Sequence, residues 1–114
     1  MTGGLVDLSP DTFDGFVGSG PAVLLDFWAE WCHPCLAYEP VVEELVTLNS
    51  ARLVAGRVDI AAYPELAERC QVRSIPALVL FQDGSITRRF FGVRVLRQLR
   101  DELDRLLAPG VDAP

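Results

Sequence analysis

The sequence predicts an α/β protein with helices on both faces of a mixed β-sheet, and three observations carry that prediction. Residues 22–28 and 77–81 are apolar at nearly every position, the pattern of strands covered from both sides. Segments with apolar residues at helical spacing alternate with these runs along the chain. Gln82-Asp83-Gly84-Ser85 then reads as a hairpin turn, because Asp-Gly tolerates the positive φ that two-residue turns demand. A chain of 114 residues fits one domain, expected to span 1–114, with an ordered core of about 5–107 and a flexible tail at 108–114.

Leu5 to Leu8 reads as a short edge strand. Ser9 followed by Pro10 has the form of an N-cap and first helical residue, and Phe13, Phe16 and Val17 give the short helix one apolar face. Gly18-Ser19-Gly20-Pro21 ends it. Ala22 to Trp28 is a central strand, interrupted only by Asp26, a carboxylate where burial makes carboxylates costly. A helix begins near Pro34, and Tyr38, Val41, Val42, Leu45 and Leu48 mark its inner face as far as Asn49. Pro40 lies inside it and is expected to kink it.

Leu53 to Asp59 is a second inner strand, with Arg57 and Asp59 on one face. A short helix from Pro64 to Arg69 ends near Cys70. Ala77 to Phe81 and Ile86 to Phe91 form the hairpin, the latter more exposed because it carries Arg88 and Arg89. Leu96, Leu99, Leu103 and Leu106 mark an amphipathic closing helix.

Composition narrows the function classes. Half the residues are hydrophobic and 23% are charged, a globular balance that leaves no room for an extended disordered region. A net charge of −6 argues against nucleic-acid binding, which needs a positive surface. No apolar run is long enough to span a bilayer, and Met1-Thr2-Gly3-Gly4-Leu5 lacks the charged and apolar regions of an export signal, so a cytoplasmic, membrane-independent protein is expected. Three cysteines do not make a secreted disulfide framework.

The chemistry centres on Trp31-Cys32-His33-Pro34-Cys35, at a junction from strand to helix. Two cysteines three positions apart can close a short ring, and a helix N-terminus offers unpaired N–H groups and a positive dipole end that favour thiolate over thiol. The same pair is also half of a zinc site, with His33 or Cys70 as further ligands; such sites normally use two separated pairs, and only one is present, so no metal is expected. Cys70 itself reads as a small, partly buried hydrophobe.

The stretch Asp26-Phe27-Trp28-Ala29-Glu30-Trp31-Cys32, with Pro34-Cys35, Pro40, Ser74-Ile75-Pro76, Phe81, Asp83-Gly84 and Gly92, resembles the thioredoxin family over roughly residues 5–107. The resemblance implies a central mixed five-stranded sheet flanked by four helices, and a cis peptide bond between Ile75 and Pro76 beside the sulfurs. It implies a protein-disulfide reductase in which Cys32, expected to be the more exposed sulfur, attacks and Cys35 resolves. Asp26, its pKa raised by burial, would take the Cys35 proton. Arg57 occupies the place usually held by a lysine near that aspartate, where a permanent cation opposes the burial effect; it is also expected to pair structurally with a carboxylate. Trp28, Trp31, Ile60, Ile75, Pro76, Phe91 and Gly92 are implied as the apolar collar that docks a protein disulfide substrate. No cofactor would be bound; electrons would come from NADPH through a thioredoxin reductase, and the chain would act as a monomer.

The sequence departs from the family pattern in three places. His33 replaces the usual glycine after the first cysteine, and an imidazole there favours the Cys32 thiolate, which predicts a more oxidising couple. Leu36 stands where a basic residue is frequent, and Ala61 where an aspartate is common. His33 therefore keeps open an alternative as a disulfide oxidase or isomerase, beside a third reading as a binding module without turnover.

Overall fold

A computed structural model describes residues 3–107. Among them the elements run β1 (Leu5–Asp7), α1 (Pro10–Val17), β2 (Ala22–Trp28), α2 (His33–Leu48), β3 (Val54–Asp59), α3 (Pro64–Arg69), β4 (Ala77–Gln82), β5 (Ser85–Phe91) and α4 (Leu96–Leu106). The expected tail, 108–114, lies outside the described residues.

The strands form one sheet in the order β1-β3-β2-β4-β5. β1, β3 and β2 are parallel, whereas β4 runs antiparallel to β2 and to β5. The sheet is thus the mixed five-stranded one implied by the resemblance, with β2 at its centre. Alternation along β2 sends Val23, Leu25 and Phe27 to one face, where Phe13 and Val17 of α1 and Leu66 of α3 cover them. Ala22 and Leu24 face the other way, onto Tyr38, Val42 and Leu45 of α2 and Leu99 and Leu103 of α4. Two apolar layers therefore hold β2 from both sides, which is why it lacks a polar face.

Local chemistry sets the boundaries. Thr12 Oγ1 accepts the Ser9 N–H at 3.0 Å at the start of α1. β3 begins one residue later than expected because the Leu53 N–H is taken by the Asn49 carbonyl at 3.1 Å, while Asn49 Nδ2 donates to the Leu45 carbonyl at 2.7 Å and closes α2. Asp83 (φ 53°) and Gly84 (φ 83°) both take the left-handed conformation expected of the hairpin turn.

One core assignment is corrected. Leu48 is 49% exposed, and Val46 is buried in its place. The two positions lie about 80° to either side of the helical face formed by Tyr38, Val42 and Leu45. Periodicity does not choose between them; the packing of Val46 among Leu5, Leu53 and Ala55 does. Pro40 sits inside α2, which continues through it to Leu48. Among the described residues no helix is long and apolar enough to cross a membrane.

Candidate active site

The site forms where β2 gives way to α2. The Ala29 carbonyl accepts the Cys32 N–H at 3.1 Å and folds the chain into the helix. Cys32 is the N-cap, in extended conformation, and its Sγ accepts the Cys35 N–H at 3.2 Å. A sulfur here occupies the place of an ordinary capping oxygen and takes one of the donors that a helix start leaves unpaired. Negative charge on Cys32 would therefore be met by that N–H and by the positive end of a sixteen-residue helix. Pro34 lies in the first turn, where a missing N–H costs nothing.

Cys32 and Cys35 are joined in a disulfide, with Cα atoms 5.2 Å apart. Both are 6% exposed, so in this oxidised form Cys32 is not the more exposed of the two. Trp28, Ile60 and Ile75 pack against the pair. What distinguishes Cys32 is its hydrogen-bonded position at the helix start.

Asp26 and Arg57 are paired neighbours on β2 and β3, on the sheet face covered by α2. Asp26 is 6% exposed, and burial pushes its carboxyl up from 3.8 to about 7; Arg57 pulls it down and Glu39 adds to the rise. Arg57 is buried as well. Its Nη2 lies 3.3 Å from Glu39 Oε2, its Nη1 3.7 Å from Asp7 Oδ1, and its guanidinium stacks 4.1 Å from the Trp28 ring centroid. Glu39, one helical turn beyond Cys35, was not singled out from sequence. The spacing of four from a cysteine was the available signal.

Across the site the Ile75–Pro76 bond is cis. The Gly92 N–H donates to the Pro76 carbonyl at 2.9 Å, and Gly92 has φ 80°, a conformation that favours glycine. This bond ties the start of β4 to the end of β5. Of the expected collar, Trp31 is 65% exposed and Phe91 is exposed, while Trp28, Ile60, Ile75 and Gly92 are half-buried. Pro76 is buried, and its carbonyl accepts the Gly92 N–H that closes this side of the rim. Val93 and Val95 extend the apolar surface beyond Gly92 and are about as exposed as Trp31. Sequence reading missed both, although two valines in an otherwise polar loop are a visible anomaly.

His33 is exposed, and among the described residues its ring makes no hydrogen bond. Cys70 is a buried free thiol, pushed up to about 11 by burial. Among the described residues no cluster of three or more His, Cys, Asp or Glu is arranged to hold a metal ion.

Comparison with known proteins agrees with this geometry. The thioredoxin family model matches residues 4–105. A thioredoxin of Mycolicibacterium smegmatis is 40% identical over 105 residues, covering 86% of this chain and 94% of that protein. A bifunctional thioredoxin reductase/thioredoxin of Mycobacterium leprae is 38% identical over 98 residues, which cover 82% of this chain and 21% of that longer protein. Among solved structures, a single-site mutant of a thioredoxin from Halobacterium salinarum superposes with a TM-score of 0.83 at 30% identity, covering 96% of this chain and 93% of that one. Family match, relatives and the disulfide at the start of α2 lead to one conclusion: the chain belongs to the thioredoxin family and is a dithiol–disulfide oxidoreductase.

Proposed function

We propose that this protein reduces protein disulfides, with Cys32 as nucleophile, Cys35 as resolving thiol and Asp26 as proton acceptor. The observation that carries the reading is the Cys32 sulfur capping α2 while joined to Cys35. The reduced Cys32 thiolate attacks one sulfur of the substrate disulfide; a mixed disulfide forms and the other substrate sulfur leaves as thiolate. Cys35 then gives its proton to Asp26, directly or through a water, and attacks Cys32 Sγ. The Cys32–Cys35 bond forms, the mixed disulfide breaks, and two electrons have passed to the substrate. An Asp26 carboxyl near 7 suits a group that takes and releases a proton at neutral pH.

The docking collar in this reading comprises Trp28, Trp31, Ile60, Ile75, Pro76, Phe91 and Gly92. Arg57 positions Trp28 and Glu39, and Pro34 starts the helix. His33 tunes the couple. Thioredoxins work without a bound cofactor, and electrons would reach the disulfide from NADPH through a thioredoxin reductase. The joining of both activities in the bifunctional M. leprae relative supports that route. Action in the cytoplasm, as a monomer of one domain spanning 1–114, completes the proposal. Neither the geometry nor the relatives favour an oxidase, an isomerase or a binding module without turnover.

The test is NADPH consumption with thioredoxin reductase and a disulfide-containing protein, beside a Cys35→Ser variant. The native protein is expected to turn over, and the variant to accumulate a mixed disulfide through Cys32. Absence of turnover with active reductase, together with efficient oxidation of dithiol peptides, would overturn the reading.

A further inference from the structure

The rim of the docking face opens on one side into a cleft of about 420 Å³ lined by Gln71, Arg73, Ser74, Arg89 and Phe91. It adjoins the site along the chain. Ser74 precedes Ile75, which packs against the sulfurs, and Phe91 precedes Gly92, which is bonded to Pro76. None of the five lining residues is acidic, in a chain whose net charge is −6.

The partners of the two arginines bear on what the cleft can hold. Arg52, Arg57, Arg69, Arg88 and Arg105 each meet a carboxylate. Arg73 and Arg89 have no carboxylate partner among the described residues. Arg94, Arg97 and Arg100 also lack an ion pair, but Arg94 lies over the Phe90 ring and donates to the Phe91 carbonyl, and the surface that Arg97 and Arg100 line includes Asp101 and Asp104. Arg89 is nevertheless held in place: its Nε donates to the Cys70 carbonyl at 2.8 Å and its Nη2 to Gln71 Oε1 at 3.2 Å. Both acceptors are neutral, so the guanidinium is oriented without being neutralised, and Nη1 keeps its donors for a ligand.

The bracing residue occupies a costly backbone position. Gln71 follows the cap of α3 with φ 58°, while the Val72 N–H reaches back to the Ala67 carbonyl at 2.9 Å and the Gln71 N–H to that of Glu68 at 3.0 Å. That is a helix ending which glycine fills without strain. Glycine has no side chain to hold Arg89, and glutamine does.

We propose that this cleft is a carboxylate-binding subsite of the docking face, which receives a Glu or Asp of the substrate protein next to its disulfide. The proposal rests on the disulfide-reductase reading above and adds a substrate preference to it. Two guanidinium groups lining one cleft suit a carboxylate, which accepts several charge-assisted hydrogen bonds at once. Position beside the sulfurs makes that contact a selector among protein disulfides.

The test uses disulfide-linked peptide dimers carrying a single Glu, or Gln in its place, at each position flanking the cysteine. Single-turnover reduction by the prereduced protein is timed at low salt. At one flanking position the Glu peptide is expected to react about 5-fold faster than its Gln counterpart. That ratio is expected to fall towards one in Arg73→Gln and in Arg89→Gln, and towards one in the native protein at high salt, which screens the contact. Arg73 is exposed, so its variant reports on charge without disturbing the core. Equal rates for Glu and Gln at every position, or a ratio that persists in both variants, would overturn the subsite. Failure to reduce any of the peptides would instead overturn the reductase reading.

Discussion

Replacing Asp26 by asparagine should stabilise the protein, and by an amount that depends on pH. In the unfolded chain the carboxyl ionises near 3.8, and in the fold near 7 because burial disfavours its charge. As pH rises between these values the unfolded state loses its proton while the folded state keeps it, so stability falls across that window and the whole cost is present above pH 7. The interval from 3.8 to about 7, at about 1.4 kcal/mol for each tenfold change in proton binding, comes to about 4 kcal/mol. Arg57 already offsets part of the burial penalty, and its effect is contained in that figure. An amide keeps the size of the neutral acid but carries no titrating proton. Urea unfolding of oxidised native protein and of Asp26→Asn should therefore differ by about 4 kcal/mol more near pH 8 than near pH 4. The same variant should slow release of substrate from the mixed disulfide at neutral pH. A stability difference that stays constant between pH 4 and pH 8 would refute the assignment of a buried, proton-holding carboxyl.

Arg57→Met removes the cation that pulls Asp26 down, so the pH midpoint for mixed-disulfide resolution should move up by about one unit, with loss of the stacking on Trp28 reported by fluorescence. His33→Gly should make the dithiol couple more reducing by about 30 mV for every 1.4 kcal/mol of thiolate stabilisation removed, as read by equilibration with glutathione; an unchanged potential would remove His33 from the tuning set. In the reduced, folded protein, iodoacetamide at neutral pH should modify Cys32 and leave Cys70 intact until denaturant is added, because Cys70 is buried and its thiol is pushed up to about 11. Peptide mapping of the alkylated protein checks this.

The layers were legible in the sequence because they follow from periodicity. Residues 22–28 have no polar face, and neither does the strand, because both faces meet helices. Asp26 stood out for the same reason: one carboxylate in such a run is conspicuous. Periodicity fails where two positions flank an apolar face equally, as Val46 and Leu48 do, since packing with distant chain decides. It also carries no information on which charges meet. Arg57 was expected to have a carboxylate partner, yet nothing local selected Glu39 and Asp7, which approach it from a helix and from a different strand. The equal exposure of Cys32 and Cys35 in the disulfide form reflects how Trp28, Ile60 and Ile75 pack against both, which spacing alone does not reveal. The bracing of Arg89 joins β5 to the end of α3 and depends on a left-handed backbone at a residue that is not glycine.

The antiparallel course of β4 places the cis peptide at one end of the strand and the Asp83-Gly84 turn at the other. Six residues of extended chain separate them by about 20 Å. At the turn a side chain on Gly84 would meet nothing within 4 Å. The hairpin tip is thus a place where the chain can be opened, lengthened or joined to another protein at a distance from the redox pair. A reporter or affinity handle inserted there would leave the docking rim free, whereas one placed in the Gly92 loop would obstruct it.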